Sequence, residues 1–233
     1  MKIEGPLIKG RFHSRPNRFL TVVEINGELV QSHLPDPGRL KELLLPDAEL
    51  YLRPVSDEIP RKTRFTTIMI CHKGQFISLV STLPNQFVKE SLKKDDLPMF
   101  RNYNLVRSEV TVGKHRFDFL LESPKGNPFY LEIKSITYVK NGIAQFPDAV
   151  TERGTRHALA LAELVKQGNK AGILFVCQRR DGELFKPMWN RDPRFGEALV
   201  HADKCGVKIW CVTCAVTLNS ITLLREIPVN LKL

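Results

Sequence analysis

Residues 171–177, Ala-Gly-Ile-Leu-Phe-Val-Cys, form a continuous apolar run the length of one strand, and a chain of 233 residues has few ways to bury it. A strand that is apolar on both faces must be covered on both, which puts it inside a parallel or mixed sheet between packed layers. The flanking segments agree with that reading. Residues 106–112, 117–121 and 129–133 read as three successive strands, and 207–212 as another. Residues 155–167 read as a helix, apolar at Leu159, Ala162 and Val165 with Leu161 and Leu164 adjoining, and ended by Gly168. Residues 194–205 read as a second helix. The order β-β-β-α-β-α-β predicts a mixed α/β layer fold.

The first third follows a different pattern. Residues 19–25 are rich in β-branched and apolar side chains and stop at Asn26-Gly27, a strong hairpin signal, so 28–34 reads as the partner strand. Pro35-Asp36-Pro37-Gly38 is a loop, and 39–45 is expected to form a short helix before Pro46. Strands at 49–55, 65–71 and 75–80 complete a set of five, which predicts a small β-barrel of the oligonucleotide-binding type. Pro84 marks a boundary between a barrel domain (1–84) and an α/β domain (85–233). Asn85 is the expected N-cap of a helix running to about Lys94, with Phe87, Val88 and Leu92 on one side.

Charge narrows the partners. Lys and Arg number 35 against 25 Asp and Glu, a formal charge of +10, which favours nucleic acid or an anionic membrane surface. No apolar stretch reaches signal-peptide or membrane-spanning length, so a cytoplasmic location without membrane insertion is expected. The five cysteines are an odd number and scattered, which argues against a disulfide framework. Cys211-Val-Thr-Cys214 with His201 and Cys205 has the residue types of a zinc set. Positions three apart on a strand face opposite sides, however, which favours free thiols. No glycine-rich phosphate loop is present, so nucleotide-cofactor chemistry is not expected.

The stretch with chemical content is Arg116-Phe-Asp118-Phe-Leu-Leu, a turn, then Phe129-Tyr-Leu-Glu132-Ile-Lys134-Ser135. If the two strands run antiparallel, Glu132 and Lys134 share a face while Leu131 and Ile133 point into the core. Asp118 on the neighbouring strand can then converge with them. Two carboxylates offer hard oxygen ligands to Mg²⁺, and a nearby lysine can orient water or offset developing charge. That is the core of a metal-dependent phosphodiesterase of restriction-endonuclease-like type. Exposed salt-bridging strand residues would give the same pattern. Three basic groups are candidate DNA contacts: Arg11, Arg15 and Arg18, interleaved with Phe12 and Phe19; Arg61, Lys62 and Arg64; and Arg153, Arg156 and His157 near the start of the 155–167 helix. In the first group a ring could stack on a base while the arginines hold phosphates, although barrel core is the favoured place for Phe12 and Phe19; Glu152 is also explained by the helix dipole.

Several separated blocks resemble the sugar fermentation stimulation protein A family: His33-Leu-Pro-Asp-Pro-Gly-Arg39, Leu83-Pro-Asn-Gln-Phe-Val-Lys-Glu90, the two segments around Asp118 and Glu132, Phe146-Pro-Asp148 through His157, and Ile173 to Arg179. The resemblance implies an oligonucleotide-binding-type barrel joined to a restriction-endonuclease-like domain, DNA binding, and a link to regulation of sugar utilisation; an open groove with phosphate contacts would give that binding weak sequence specificity. It makes Asp118 and Glu132 metal ligands and Lys134 the catalytic-type lysine. A further acid is expected from Glu90 or Glu109. An active site of this kind would use Mg²⁺ or Mn²⁺ and cleave DNA; a binding protein would keep the scaffold without cutting. A homodimer is left open, as is a third reading in which the barrel holds a sugar or nucleotide in a closed apolar pocket.

Overall fold

The computed structural model describes residues 1–56, 58 and 60–233. Six strands form the first unit: β1 (Ile8–Asn17), β2 (Leu20–Ile25), β3 (Glu28–His33), β4 (Glu49–Pro54), β5 (Phe65–His72) and β6 (Gln75–Ser78). Antiparallel pairs β1–β2, β2–β3, β1–β4 and β4–β5, with a short parallel pair β3–β5, close a five-stranded barrel. It is of the oligonucleotide-binding type. Its interior is filled by its own side chains, among them Phe12, Val23, Leu50, Leu52 and Ile70. Near the β3–β5 closure the hydroxyls of Thr21 and Ser32 each lie 2.9 Å from the Thr67 hydroxyl, so three buried polar groups satisfy one another.

Two expectations change here. The 75–80 strand is not one of the five barrel strands: β6 pairs with β5 at the sheet edge, and the fifth barrel strand is β1, which reads in the sequence as a basic segment. β1 was hard to see because its inward positions include Gly10, and its outward ones are Lys9, Arg11 and His13. Residues 39–45 form a turn rather than a helix. Leu40 takes a left-handed φ of 51°, which breaks helical continuation, and its carbonyl accepts from both Leu43 and Leu44 N–H. Leu40 and Leu43 are thereby turned into the barrel core.

The second unit begins with α1 (Leu83–Lys93) and a 3₁₀ turn (Pro98–Phe100). Then come β7 (Asn104–Val112), β8 (His115–Glu122), β9 (Pro128–Ile136), β10 (Val139–Lys140), β11 (Ile143–Phe146), α2 (Glu152–Lys166), β12 (Lys170–Cys177), β13 (Leu184–Pro187), α3 (Pro193–Lys204), β14 (Lys208–Val216) and β15 (Ile221–Ile227). The main sheet runs β15-β14-β12-β9-β8-β7, with β9, β12 and β14 mutually parallel; β10, β11 and β13 form a small separate sheet. The apolar run 171–177 lies in β12, between β9 and β14. Its alternate residues serve two cores: Ile173 and Phe175 pack with Leu161 and Phe195, while Leu174 and Val176 pack with Phe87 and Phe100. Residues 1–3 lie against this unit, with the Met1 amino group donating to Ile221 O at 2.9 Å.

Helix starts and faces also shift. Thr82, not Asn85, occupies the N-cap of α1. α2 begins earlier than its apolar spacing suggests, because Thr151 Oγ1 accepts from Gly154 N at 3.1 Å and caps it. The buried face of α2 is Gly154, His157, Ala158, Leu161, Ala162 and Leu164, and Leu159 is exposed. A polar residue, His157, is part of the inward stripe, which displaces the face from the purely apolar one. Among the described residues no helix is long and apolar enough to cross a membrane.

Gly10 supplies a direct test of the barrel. A Cβ there would lie 2.6 Å from Val23 Cγ1 and 2.8 Å from the Glu24 carbonyl oxygen, a backbone atom that cannot swing aside. Gly10→Ala is expected to destabilise the protein by about 1–3 kcal/mol, read as a lower midpoint in urea unfolding.

Candidate functional site

The register of β8 on β9 pairs Phe119 with Leu131, which brings Asp118 alongside the Glu132–Ile133 segment. Asp118 Oδ2 accepts from the Ile133 N–H at 2.7 Å, and Oδ1 accepts from Asn85 Nδ2 at 2.6 Å. Asn85, expected as a cap, is instead in the first turn of α1, where its amide reaches across to the acid. On β9, Lys134 Nζ donates to Glu132 Oε1 at 2.6 Å, as period-two alternation requires. His157 Nδ1 lies 2.6 Å from the same oxygen. His157 was expected among the phosphate contacts. It is buried, with its ring edge-on to Phe117 and His115, and it holds Glu132 rather than facing solvent.

The two carboxylates are driven apart electrostatically. Burial, reinforced by the Glu132 charge, pushes Asp118 up to about 6 against the opposing Ile133 N–H, Lys134 and Asn85. Burial works the same way on Glu132, but His157 and Lys134 outweigh it and hold this acid below its ordinary value. Glu132 Oε2 is buried and has no hydrogen-bond partner. Glu90 and Glu109 do not complete a ligand set: both are exposed, and Glu109 faces Arg116 at 3.9 Å. Among the described residues no three His, Cys, Asp or Glu side chains are grouped to hold a metal ion. Cys211 and Cys214 pack into the two opposite cores of the sheet, and Cys205 Sγ lies 3.5 Å from His201 Nε2.

A cleft of about 470 Å³ between the two units is lined by Ile133 and Lys134, which follow Glu132 in sequence, while Asp118 and Glu132 themselves lie behind that wall and do not line it. Arg18 and the 36–38 loop line it from the barrel, Lys134 and Ser135 from β9, and the 146–151 loop and Arg153 from the start of α2. The His33–Arg39 block, whose role the sequence does not reveal, contributes Asp36, Pro37 and Gly38 to the wall of this cleft. Its Asp36 is buried, accepts from Gly38 N at 2.8 Å, and has its carboxyl pushed up to about 6, chiefly by burial. Asp148 Oδ2 accepts from Leu40 N at 2.9 Å and ties the two units together. A Cβ on Gly38 would lie 2.9 Å from Asp36 Oδ1 and 3.2 Å from Asp148 Oδ2, so a larger residue there would have to displace one of these carboxylates. Asp36 and Asn85 were not legible as site residues, because only tertiary contact gives them one.

The other predicted basic residues fall in different places. Arg15 is turned inward, donating to the carbonyls of Arg39 at 2.6 Å and Arg18 at 2.9 Å, so it braces loops rather than meeting phosphate. Arg11 is exposed between its strand neighbours Glu24 and Glu49. Arg156 is exposed and ion-paired with Glu152 at 3.6 Å. Arg61 and Lys62 line a second, shallow depression on the barrel, and Arg64 is exposed nearby in sequence.

Fold and site together define a class: a closed oligonucleotide-binding-type barrel joined to a nuclease-like α/β domain. Residues 14–79 match the SfsA N-terminal OB domain, and residues 82–220 match the sugar fermentation stimulation protein RE domain. Among curated relatives, a sugar fermentation stimulation protein homolog of Clostridium tetani is 40% identical over 231 residues, covering 99% of this chain and 100% of the relative. Another from Chloroflexus aurantiacus is 42% identical over 225 residues, covering 97% and 86%. The solved structure of Pyrococcus furiosus SfsA in complex with Ca²⁺ superposes with a TM-score of 0.89 at 28% identity, covering 99% of this chain and 98% of that one. The chain belongs to the sugar fermentation stimulation protein family.

The raised Asp118 acid has a measurable consequence. Burial pushes its carboxyl up to about 6 in the folded protein, against an ordinary value of 3.8, so folding takes up a proton between those values. The penalty is absent below the lower value and complete above the upper one. Asp118→Asn is expected to gain stability relative to the parent by about 1–3 kcal/mol as pH rises from about 4 to 7.5. Paired denaturation curves across that range check it; a constant difference would refute the assignment.

Proposed function

We propose that this protein binds DNA in the cleft between barrel and α/β domain, holding the phosphate backbone with Arg18, Lys134 and Arg153. The observation that carries the reading is convergence: cations from the barrel, from β9 and from α2 line one cleft in a chain of net charge +10. Contacts of that kind neutralise phosphates without reading bases, which predicts weak sequence specificity and strong salt dependence. Any regulatory link to sugar utilisation would act through this binding. A barrel pocket for a sugar or nucleotide has less support, since the barrel interior is filled by its own side chains.

One observation favours a second reading, metal-dependent cleavage. The unpartnered, buried Oε2 of Glu132 beside Asp118 is an oxygen suited to a hard cation. Asp118 and Glu132 would hold Mg²⁺ or Mn²⁺, with water and phosphate oxygens as further ligands. The Ca²⁺ in the Pyrococcus furiosus relative is consistent with oxygen ligands of this sort. Such an ion supplies Lewis acidity and a more acidic bound water. Of the protein's own groups, His157 and Lys134 keep Glu132 ionised and oriented, and the Lys134 ammonium, at the cleft wall, offsets negative charge on a phosphoryl group there.

Labelled single- and double-stranded DNA titrated across a salt series tests both readings. Affinity is expected to fall steeply with salt, and Arg153→Ala is expected to reduce the salt slope by about one. Absence of binding at low salt would overturn the proposal. Cleavage that requires Mg²⁺ or Mn²⁺ and is lost in Glu132→Ala supports the second reading, whereas binding without cleavage rejects it. Separately, Ca²⁺ or Mg²⁺ is expected to raise the melting temperature of the parent and not of Glu132→Gln, by mass action on the folded state.

A further inference from the structure

The turn between β1 and β2 displays an aromatic ring where a barrel would ordinarily bury one. Phe19 was expected in the core with Phe12. Phe12 is buried, but Phe19 is 43% exposed. Single exposed apolar residues are common and need no explanation by themselves. This one differs in how firmly its backbone is held. The Phe19 N–H donates to Asn17 Oδ1 at 2.9 Å, the Phe19 carbonyl accepts from Leu34 N at 2.8 Å, and the preceding Arg18 carbonyl accepts from Arg15 Nη2 at 2.9 Å. The ring is therefore presented outward on a fixed turn.

Cations surround it. The Arg18 guanidinium lies 4.7 Å from the ring centroid, and Phe19 lines a depression of about 370 Å³ together with Arg61, Lys62 and His33. Arg18 lines the inter-domain cleft and Phe19 the depression, so the contact between these consecutive residues links the two. An aromatic face flanked by phosphate-binding cations is the arrangement that recognises unpaired bases, since a base offers a ring to stack only when it is not paired within a helix. Duplex DNA offers that depression phosphates but no free ring.

We infer that the barrel face around Phe19 binds a single-stranded DNA extension of the molecule held in the cleft, one base stacking on Phe19 while Arg61 and Lys62 meet its phosphates. The inference rests on the DNA-binding reading above and narrows it to a substrate class: DNA with a single-stranded segment next to a duplex or end in the cleft. Arg18, which lines the cleft and lies over the Phe19 ring, marks where the strand passes from one depression to the other.

Fluorescence anisotropy with a blunt duplex and the same duplex carrying a tail of about ten nucleotides tests this. The tailed molecule is expected to bind tighter, and Phe19→Ala is expected to weaken it by about 5- to 100-fold while leaving the blunt duplex unchanged. Phe19→Trp should restore the tail's advantage, and Arg61→Glu should reduce it. Equal affinity for blunt and tailed DNA, or an equal loss on both in Phe19→Ala, would overturn the inference and leave cleft binding intact. An RNA tail that binds tighter than the DNA tail would overturn the assignment to DNA. Failure of every DNA to bind would instead remove the underlying reading.

Discussion

Glu132 carries a carboxylate into the middle of a six-stranded sheet, and an uncompensated charge there would be strongly destabilising. Compensation comes from two directions at once. Lys134 reaches it along the same strand, and His157 reaches it from α2, both at 2.6 Å from a single oxygen. For His157 to do so, α2 must pack with a polar residue inside its buried stripe. That requirement places the start of α2, and with it the Thr151 cap and Arg153, beside β9. The remaining oxygen of Glu132 is left buried and unpartnered. A site that leaves such an oxygen unsatisfied stores a cost that a suitable ligand would relieve.

The second organising contact joins the two units. The 33–40 loop of the barrel is fastened to the α/β domain by Leu40 N–H on Asp148, and Asp36 Oδ2 faces the Thr137 hydroxyl at 3.5 Å. Arg15 braces the same loop from within the barrel. These polar contacts set the cleft's width, because they hold the barrel's Arg18 opposite Lys134 and Arg153. The left-handed Leu40 and Gly38 both sit at that junction, Leu40 bonded to Asp148 and Gly38 bonded to Asp36.

Much of the α/β domain was legible because its signals are local. The 171–177 run, the hairpin around Asp118 and Glu132, and the two long helices each declare themselves within a dozen residues. β1 did not, since one of its two buried positions is a glycine and polar or basic residues fill most of the others. β10, β11 and β13 are too short to show a period. At the site, Asp118, Glu132 and Lys134 could be grouped from strand alternation. Asn85 and Asp36 could not, because a turn or cap reading accounts for each of them locally.

The residue order by itself determined the class of fold, the pairing of acid and lysine on one strand face, and the excess of positive charge. All three depend on periodicity or composition, which the chain carries without folding. Tertiary structure alone decided that His157 turns inward to Glu132 while Phe19 turns outward from the barrel. It also decided that Arg15 braces loops and that Arg18 faces the cleft. Those outcomes depend on which surfaces meet across separate elements, and an aromatic or a cation has the same local pattern whether a neighbour covers it or not.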